Sequence, residues 1–283
     1  MPYTDSTDSA SDGASGSAAA TKRIYYERHG EGPVVLLVHG SGGHHASWWQ
    51  QVAELRGRYT VVTVDLRGFG NSDSDMEEFD SLEFPGDIVA VMEAEDLRDV
   101  LLVGQSIGSA AALRAAMACA ERVGGVVLGH SLGGLDHPEL ARLAAADRAE
   151  AVKLPVIDRL LTKEFRERDP AKTFLFKQMG TFNAAAMQDL RNLSTNGPTV
   201  EEVAKAGFQV VFLAGEKDAV LSPATVRRAH ELLPGSRLVL VPGAPHSMYW
   251  EAPELFNAAV IGVRDALSAD RIYGSQAAPR VET

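Results

Sequence analysis

Short runs of consecutive apolar residues recur along the chain, separated by longer segments in which apolar and polar positions are mixed. Six runs rich in Val and Leu lie at 34–38, 60–66, 100–103, 125–128, 208–214 and 237–241. Continuous apolar runs of this length are typical of strands buried on both faces. The run 24–28 alternates instead, which suits a strand at a sheet edge. The pattern therefore predicts a mostly parallel sheet.

Helical patterns fill the segments between these strands. We predict helices at 48–56, 87–94, 107–120, 225–233 and 253–267. Strands that alternate with helices along a chain indicate a parallel sheet covered by helices on both faces. The predicted fold class is therefore α/β.

The alternation is interrupted between residues 135 and 206, where helical patterns and Pro155, Pro170 and Pro198 occur without a convincing strand. This segment follows a strand end, so we interpret it as an inserted helical cap over the edge where open α/β sheets bind ligands. The core then comprises residues 22–134 and 207–270. Residues 1–21 are predicted to be a disordered acidic tail and residues 271–283 a C-terminal tail.

Composition narrows the range of partners. The 283-residue chain carries a formal net charge of −11, which disfavours nucleic acid and anionic membranes. Cys119 is its only cysteine, so an intramolecular disulfide is impossible. The first 21 residues lack a basic or apolar leader, and no run approaches the roughly 20 apolar residues of a membrane span. We expect a cytoplasmic protein with a small-molecule substrate; its oligomeric state is left open.

The most specific motif is Gly104-Gln105-Ser106-Ile107-Gly108, between a predicted strand and an alanine-rich helix. A serine at such a turn needs a strained backbone, and glycines on both sides remove Cβ atoms that would clash. The helix N-terminus behind it favours an oxyanion. The motif predicts a nucleophile elbow with Ser106 at its tip.

The same five-residue pattern recurs at Gly129-His130-Ser131-Leu132-Gly133. The second copy runs into glycine and then Pro138, which disfavours a helix there. We therefore favour Ser106, and interpret Ser131 as part of an ordinary turn.

A nucleophilic serine needs a base and a group that orients the base. His246 follows the last predicted strand, and Asp218 follows the strand before it, so both should lie at the sheet edge that carries Ser106. The order Ser, Asp, His along the chain matches this arrangement. Glu216 and Asp136 are the competing candidates for the acid.

The loop His39-Gly40-Ser41-Gly42-Gly43 follows a predicted strand and can present backbone N–H groups to an oxyanion. We predict an oxyanion hole formed by Ile107 with either Ser41 or Gly42. No phosphate-binding glycine motif occurs there. His39, His44 and His45 lack a recognisable zinc spacing, so neither a metal nor a cofactor is expected.

Taken together, these motifs resemble the α/β-hydrolase superfamily, specifically single-domain bacterial members with a helical cap. The similarity covers residues 24–267 and includes the segment 65–73, similar to a structural loop of the family. The resemblance implies Ser106 as nucleophile, His246 as base and Asp218 as acid. A serine nucleophile disfavours dehalogenase or epoxide-hydrolase chemistry, which uses aspartate.

Trp48, Trp49 and Phe182 are candidates for the substrate pocket, together with other apolar cap residues whose simpler role is packing. An apolar pocket suits uncharged acyl substrates of small to medium size. We predict a serine hydrolase of carboxylic esters or lactones that acts through an acyl-enzyme. The alternatives are hydrolysis of a carbon–carbon bond in a vinylogous diketone, a cofactor-free perhydrolase or oxygenase, and a small-molecule receptor on the same scaffold.

Overall fold

One eight-stranded sheet forms the centre of the protein in a computed structural model that describes residues 2–7, 21–73, 75–190 and 192–274. The strands are β1 Tyr3–Thr7, β2 Thr21–His29, β3 Val34–Val38, β4 Thr60–Val64, β5 Val100–Gln105, β6 Val123–Gly129, β7 Gln209–Gly215 and β8 Arg237–Val241.

The strand order is β1-β2-β4-β3-β5-β6-β7-β8. β1 and β2 are antiparallel to their neighbours, whereas β3 to β8 run parallel. Because parallel strands end at the same sheet edge, the loops after β3, β5, β6, β7 and β8 converge there. This architecture confirms the predicted α/β fold class.

Helices cover the sheet and fill its connections. They are α1 Trp49–Leu55, α2 Phe84–Ala94, α3 Ile107–Ala118, α4 Pro138–Ala151, α5 Val156–Leu160, α6 Lys163–Arg168, α7 Pro170–Met179, α8 Val200–Lys205, α9 Pro223–Leu232, α10 Met248–Glu251 and α11 Pro253–Gly274.

Two apolar layers pack against the two faces of the sheet. In β5, Leu102 joins the layer that holds α2, α3 and α9, while Leu101 and Val103 join the layer that holds α1 and α11. Alternating side chains of one buried strand thus serve both layers, which explains why its sequence is apolar without interruption.

Both termini differ from the predicted tails. Residues 3–7 belong to β1, which pairs with β2 from Tyr3 opposite Tyr25 to Thr7 opposite Thr21. The segment is polar, but it lies at the sheet edge, where all of its residues except Ser6 are at least partly exposed. At the other end, α11 continues through residues 271–274. The rest of the predicted tails, residues 1, 8–20 and 275–283, lies outside the described residues.

The connection between β6 and β7 contains α4 to α8, and the described part of it contributes no strand to the sheet. It begins at the sheet edge where the loops converge, and residues of α4, α5 and α7 line the cavities at that edge. Among the described residues, no helix combines the length and apolar composition needed to cross a bilayer.

Candidate active site

Ser106 occupies the turn between β5 and α3 with φ 53° and ψ −117°. A Cβ atom at Gly104 would lie 2.4 Å from Ser109 Cα, and one at Gly108 would lie 2.4 Å from His39 O. Both contacts are far inside van der Waals distance, so strand, turn and helix can approach this closely only with glycine at both positions. The turn has the geometry expected of a nucleophile elbow.

His246 lies in the loop after β8, and its Nδ1 is 3.0 Å from Oδ1 and 2.9 Å from Oδ2 of Asp218, which lies after β7. Lys217 N donates to Ala244 O at 2.9 Å, so the two loops are held together. Gln105 Nε2 donates to His246 O at 2.8 Å and connects the His246 loop to the elbow.

The Asp218 carboxylate is buried and surrounded by donors. Val220 N and Leu221 N donate to Oδ1 at 2.8 and 3.0 Å. Burial opposes the charge, but the proximity of His246 and a hydrogen bond from His130 hold the pKa of Asp218 well below its usual range. The acid is therefore ionised at neutral pH.

The competing residues from the sequence are placed differently. Glu216 is exposed at the end of β7, and its N–H donates to Val241 O. Asp136, the other candidate acid, is also exposed. Ser131, the competing serine, lies in a local turn in which its Oγ accepts from Gly133 N at 3.1 Å. Of the three candidate acids, the structure joins Asp218 to His246.

His130 is a site residue that the sequence did not reveal. It follows β6, is 2% exposed, and its Nδ1 is 3.0 Å from Oδ2 of Asp218. The sequence could have identified it, because it is a histidine directly after a predicted buried strand, at the edge that carries the other strand-end residues. The second GxSxG pattern thus brings a histidine, rather than its serine, to Asp218.

The loop after β3 is anchored by His39. Its Nε2 accepts from Leu66 N at 3.2 Å, so its Nδ1 carries the proton that is donated to Gly40 O at 2.8 Å. Burial lowers the pKa of His39 to about 4, so the ring is neutral at physiological pH. The N–H of Gly43 is already bonded to Gly40 O at 3.0 Å. Ser41 and Gly42, the predicted oxyanion donors, line the cavity beside Ser106.

Two cavities meet at Ser106 and His246, which line both of them. Lobe A, of about 450 Å³, is bounded by the loop 40–43 and by apolar residues of α5 and α7, Val156, Ile157, Leu160, Phe176 and Met179. Lobe B, of about 510 Å³, is bounded by the loop after β6, by Ile107 and by α4, and includes the polar residues Arg148, Arg159, Ser194, Thr195 and Asn196.

The three predicted pocket residues line neither lobe. Trp48 is fully buried and packs on Tyr249 and Phe256 in the core. Trp49 is 45% exposed and its ring is T-shaped to that of Trp250. Phe182 is 68% exposed and its ring is T-shaped to that of His44. These predictions were wrong because an apolar residue type does not specify the face of a helix or loop on which its side chain lies.

Two groups of described side chains bring three metal-binding atoms within 4.8 Å of one another: His44, His45 and Asp65, and His130, Asp218 and His246. In each group a histidine Nδ1 is already hydrogen-bonded to the carboxylate, at 2.8 Å between His45 and Asp65. Each group therefore contains a hydrogen bond between a histidine and its carboxylate.

Comparison with known proteins finds a matching family and similar folds. A model of the alpha/beta hydrolase family matches residues 35–259. A putative non-heme chloroperoxidase of Synechocystis sp. is 26% identical over 268 residues, 86% of this chain and 95% of that protein. A thermophilic esterase from Thermogutta terrifontis is 23% identical with a TM-score of 0.74, covering 94% of this chain and 99% of the other. The enol-lactonase of Burkholderia xenovorans is 22% identical with a TM-score of 0.69, covering 85% and 96%.

Proposed function

The chain belongs to the alpha/beta hydrolase family, and from that premise we propose that it hydrolyses a carboxylic ester or lactone through an acyl-enzyme on Ser106. One observation carries the proposal. The elbow serine shares a cavity with the glycine-rich loop 40–43 and with a histidine whose Nδ1 is bonded to a buried carboxylate. Known proteins of similar fold include an esterase and an enol-lactonase.

In the proposed reaction, Ser106 Oγ attacks the carbonyl carbon while His246 Nε2 accepts its proton. The ionised Asp218 fixes the tautomer in which Nδ1 is protonated, and it stabilises the imidazolium that forms. Ile107 N–H, the first amide of α3, and the Ser41 or Gly42 N–H stabilise the tetrahedral oxyanion. The proton on His246 then passes to the departing alkoxide, which leaves as an alcohol. A water molecule attacks the acyl-enzyme by the same route and releases the acid and Ser106.

The cavity indicates the size of the substrate. Because Ser106 lies where lobes A and B meet, both the acyl and the alcohol side of the ester have space beyond the scissile bond. The wall of lobe A is mainly apolar, so one side is an uncharged hydrocarbon group. We expect esters with a medium-sized group on each side to react faster than methyl acetate.

The test is a turnover assay with p-nitrophenyl esters of increasing chain length, aliphatic lactones and a vinylogous diketone. The wild type should hydrolyse esters or lactones, and Ser106→Ala should reduce kcat by about a thousandfold or more, because the covalent route is lost. Ester turnover by Ser106→Ala at the wild-type rate would refute the proposal. Turnover of the diketone alone would keep the serine mechanism and replace the ester by a carbon–carbon bond.

A further inference from the structure

We propose that His130 is a positioning residue for the proposed reaction, donating its Nδ1–H to Asp218 and so setting how strongly that carboxylate holds a proton on His246. The proposal rests on the proposed function, since it concerns the same base. No motif of the sequence assigns His130 such a role, and its part in the site emerges from the contacts alone.

Two imidazoles flank one carboxylate. His130 Nδ1 lies 3.0 Å from Asp218 Oδ2, and His246 Nδ1 lies 2.9 Å from the same oxygen. The two rings meet edge-to-face with centroids 5.5 Å apart. The side chains of His130 and Asp218 are fully buried, so water does not replace this contact. The Asp218 carboxylate therefore faces two imidazoles, that of His246 and that of His130.

The tautomer of His130 follows from these contacts. An ionised carboxylate only accepts hydrogen bonds, so His130 Nδ1 must carry the proton. Its Nε2 is buried without a partner among the described residues. A second proton there would add a buried charge with no acceptor at Nε2, and burial, which outweighs the attraction of Asp218, lowers the pKa of His130. Burial thus favours the neutral ring, which donates from Nδ1.

The backbone holds His130 in a conformation that most residues avoid. Its φ is 55°, in the left-handed region, and its N–H donates to Leu213 O of β7 at 2.7 Å. Such a conformation is costly for a residue with a side chain and persists only where the surroundings impose it. Here it places the imidazole between the ends of β6 and β7, against Asp218.

A donor on Oδ2 draws charge away from the oxygen that also faces His246. The charged and titratable groups that act on the His130 ring are Asp218 and His246. The other charged side chains along lobe B are Asp136, Arg148 and Arg159. Without the His130 donor, Asp218 would stabilise protonated His246 more strongly, and the acidic limb of the pH–rate profile would move to higher pH.

The experiment compares pH profiles of kcat/KM for the wild type, His130→Leu and His130→Asn. Leucine removes the donor. Asparagine tolerates positive φ and places its amide N–H near the position of Nδ1. We expect His130→Leu to lower kcat about ten- to hundredfold and to move the acidic limb to higher pH, with KM little changed. His130→Asn should restore the wild-type limb and most of kcat.

A purely structural role for His130 would give a different result. His130→Leu would then lose activity together with thermal stability, its acidic limb would coincide with that of the wild type, and the proposal would be overturned. The proposal would also be overturned if the acidic limb moved equally in His130→Leu and His130→Asn, because the amide donor of asparagine would then have no effect on His246.

A second readout does not depend on turnover. ¹⁵N NMR titration of His246 in the three proteins should show its midpoint raised in His130→Leu and unchanged in His130→Asn. Because it needs no substrate, this measurement tests the role of His130 even if Ser106→Ala overturns the proposed function. An unmoved midpoint in His130→Leu would reject the inference while leaving the proposed function intact.

Discussion

At the scale of single residues, Gly104 and Gly108 allow the close approach of strand, turn and helix at the Ser106 elbow. The sequence predicted Ser106 from two glycines and a following helix of small residues, and each glycine proves to face atoms that leave no room for a Cβ. The neighbours of a side chain in the folded protein were less predictable. His130 and the misplaced pocket residues depend on which side chains meet across the fold, and no local pattern encodes that.

Gly108→Ala should therefore be strongly destabilising. The added methyl would lie 2.4 Å from His39 O and 2.5 Å from Val38 O, both backbone atoms of a buried strand end. We expect a loss of about 1–3 kcal/mol or more in the free energy of unfolding, measured by urea denaturation.

Gly262→Ala is the matched control. Gly262 lies in α11, and an added Cβ would meet nothing within 4 Å. Alanine is favoured over glycine in a helix interior, so this variant should be more stable by up to about 1 kcal/mol. Equal destabilisation by the two substitutions would show that the elbow is not sterically restricted.

At the scale of elements, the cap is attached to the core next to the predicted oxyanion loop. Asn183 Nδ2 donates to Gly43 O at 3.2 Å, and its Oδ1 accepts from Gly70 N at 3.0 Å. Ala184 N and Ala185 N donate to Gly68 O. The break in alternation predicted an inserted helical cap in this part of the chain, but it did not predict this attachment, which depends on an asparagine in an irregular segment.

Asn183→Ala should reduce kcat/KM by about tenfold, because it removes both hydrogen bonds that join the cap to the loop 40–43 and to the loop of Gly70. Unfolding should become easier by only about 1–2 kcal/mol, since the residue is partly exposed. Ester kinetics and urea denaturation together check this. Thr181→Val, at an exposed position of the same segment, is the control, and similar loss in both variants would argue against a role for these two hydrogen bonds.

A buried ion pair joins the loop after β4 to α2. Arg67 Nη2 and Nε donate to Asp87 Oδ1 and Oδ2 at 2.6 and 3.0 Å, and the side chains are 3% and 0% exposed. Asp87→Ala would leave a buried guanidinium without its carboxylate, so we expect a loss of about 3–5 kcal/mol in thermal or urea unfolding.

Glu167→Ala provides the comparison for that pair. Glu167 and Lys163 form an i, i+4 pair on α6 with side chains 69% and 74% exposed. Solvent screens such a pair, so its removal should leave stability unchanged within error. If Asp87→Ala also left the free energy of unfolding unchanged, the buried pair would not contribute to the stability of α2 on the sheet.

At the scale of the whole molecule, the apolar pattern of the sequence predicted the parallel strands of the sheet but not its first strand, β1. Apolar runs predicted the six parallel strands closely, with 34–38 and 237–241 matching β3 and β8. The polar strand β1 escaped prediction because its stability comes from pairing with β2, a contact between segments separated along the chain. Long-range pairing of this kind leaves no periodic signal.

The buried histidines predict how stability depends on pH. The pKa of His39 is about 4 in the folded protein and near 6.5 when exposed, so between these values the unfolded chain binds a proton that the folded chain does not. Stability should therefore decrease as pH falls from about 6.5 to 4, by up to about 1.4 kcal/mol per pH unit for this group. His44 and His130 act in the same direction, and His45, whose pKa is raised against burial by Asp65, acts in the opposite one.

Histidine ¹⁵N NMR titration isolates this contribution. The His39 resonance should keep its neutral, Nδ1-protonated signature down to about pH 4. A midpoint near the ordinary value of 6.5 would contradict the anchoring of the loop after β3 by a neutral, buried His39.

In the proposed function Ser106, rather than Ser131, is the nucleophile activated by His246 and Asp218. The most direct test of this assignment is labelling with an alkyl fluorophosphonate, followed by peptide mapping in the wild type, Ser106→Ala and Ser131→Ala. We expect one adduct per chain, mapped to Ser106, in the wild type and in Ser131→Ala, and none in Ser106→Ala. An adduct on Ser131, or labelling that persists in Ser106→Ala at the same stoichiometry, would contradict the assignment of Ser106 as nucleophile.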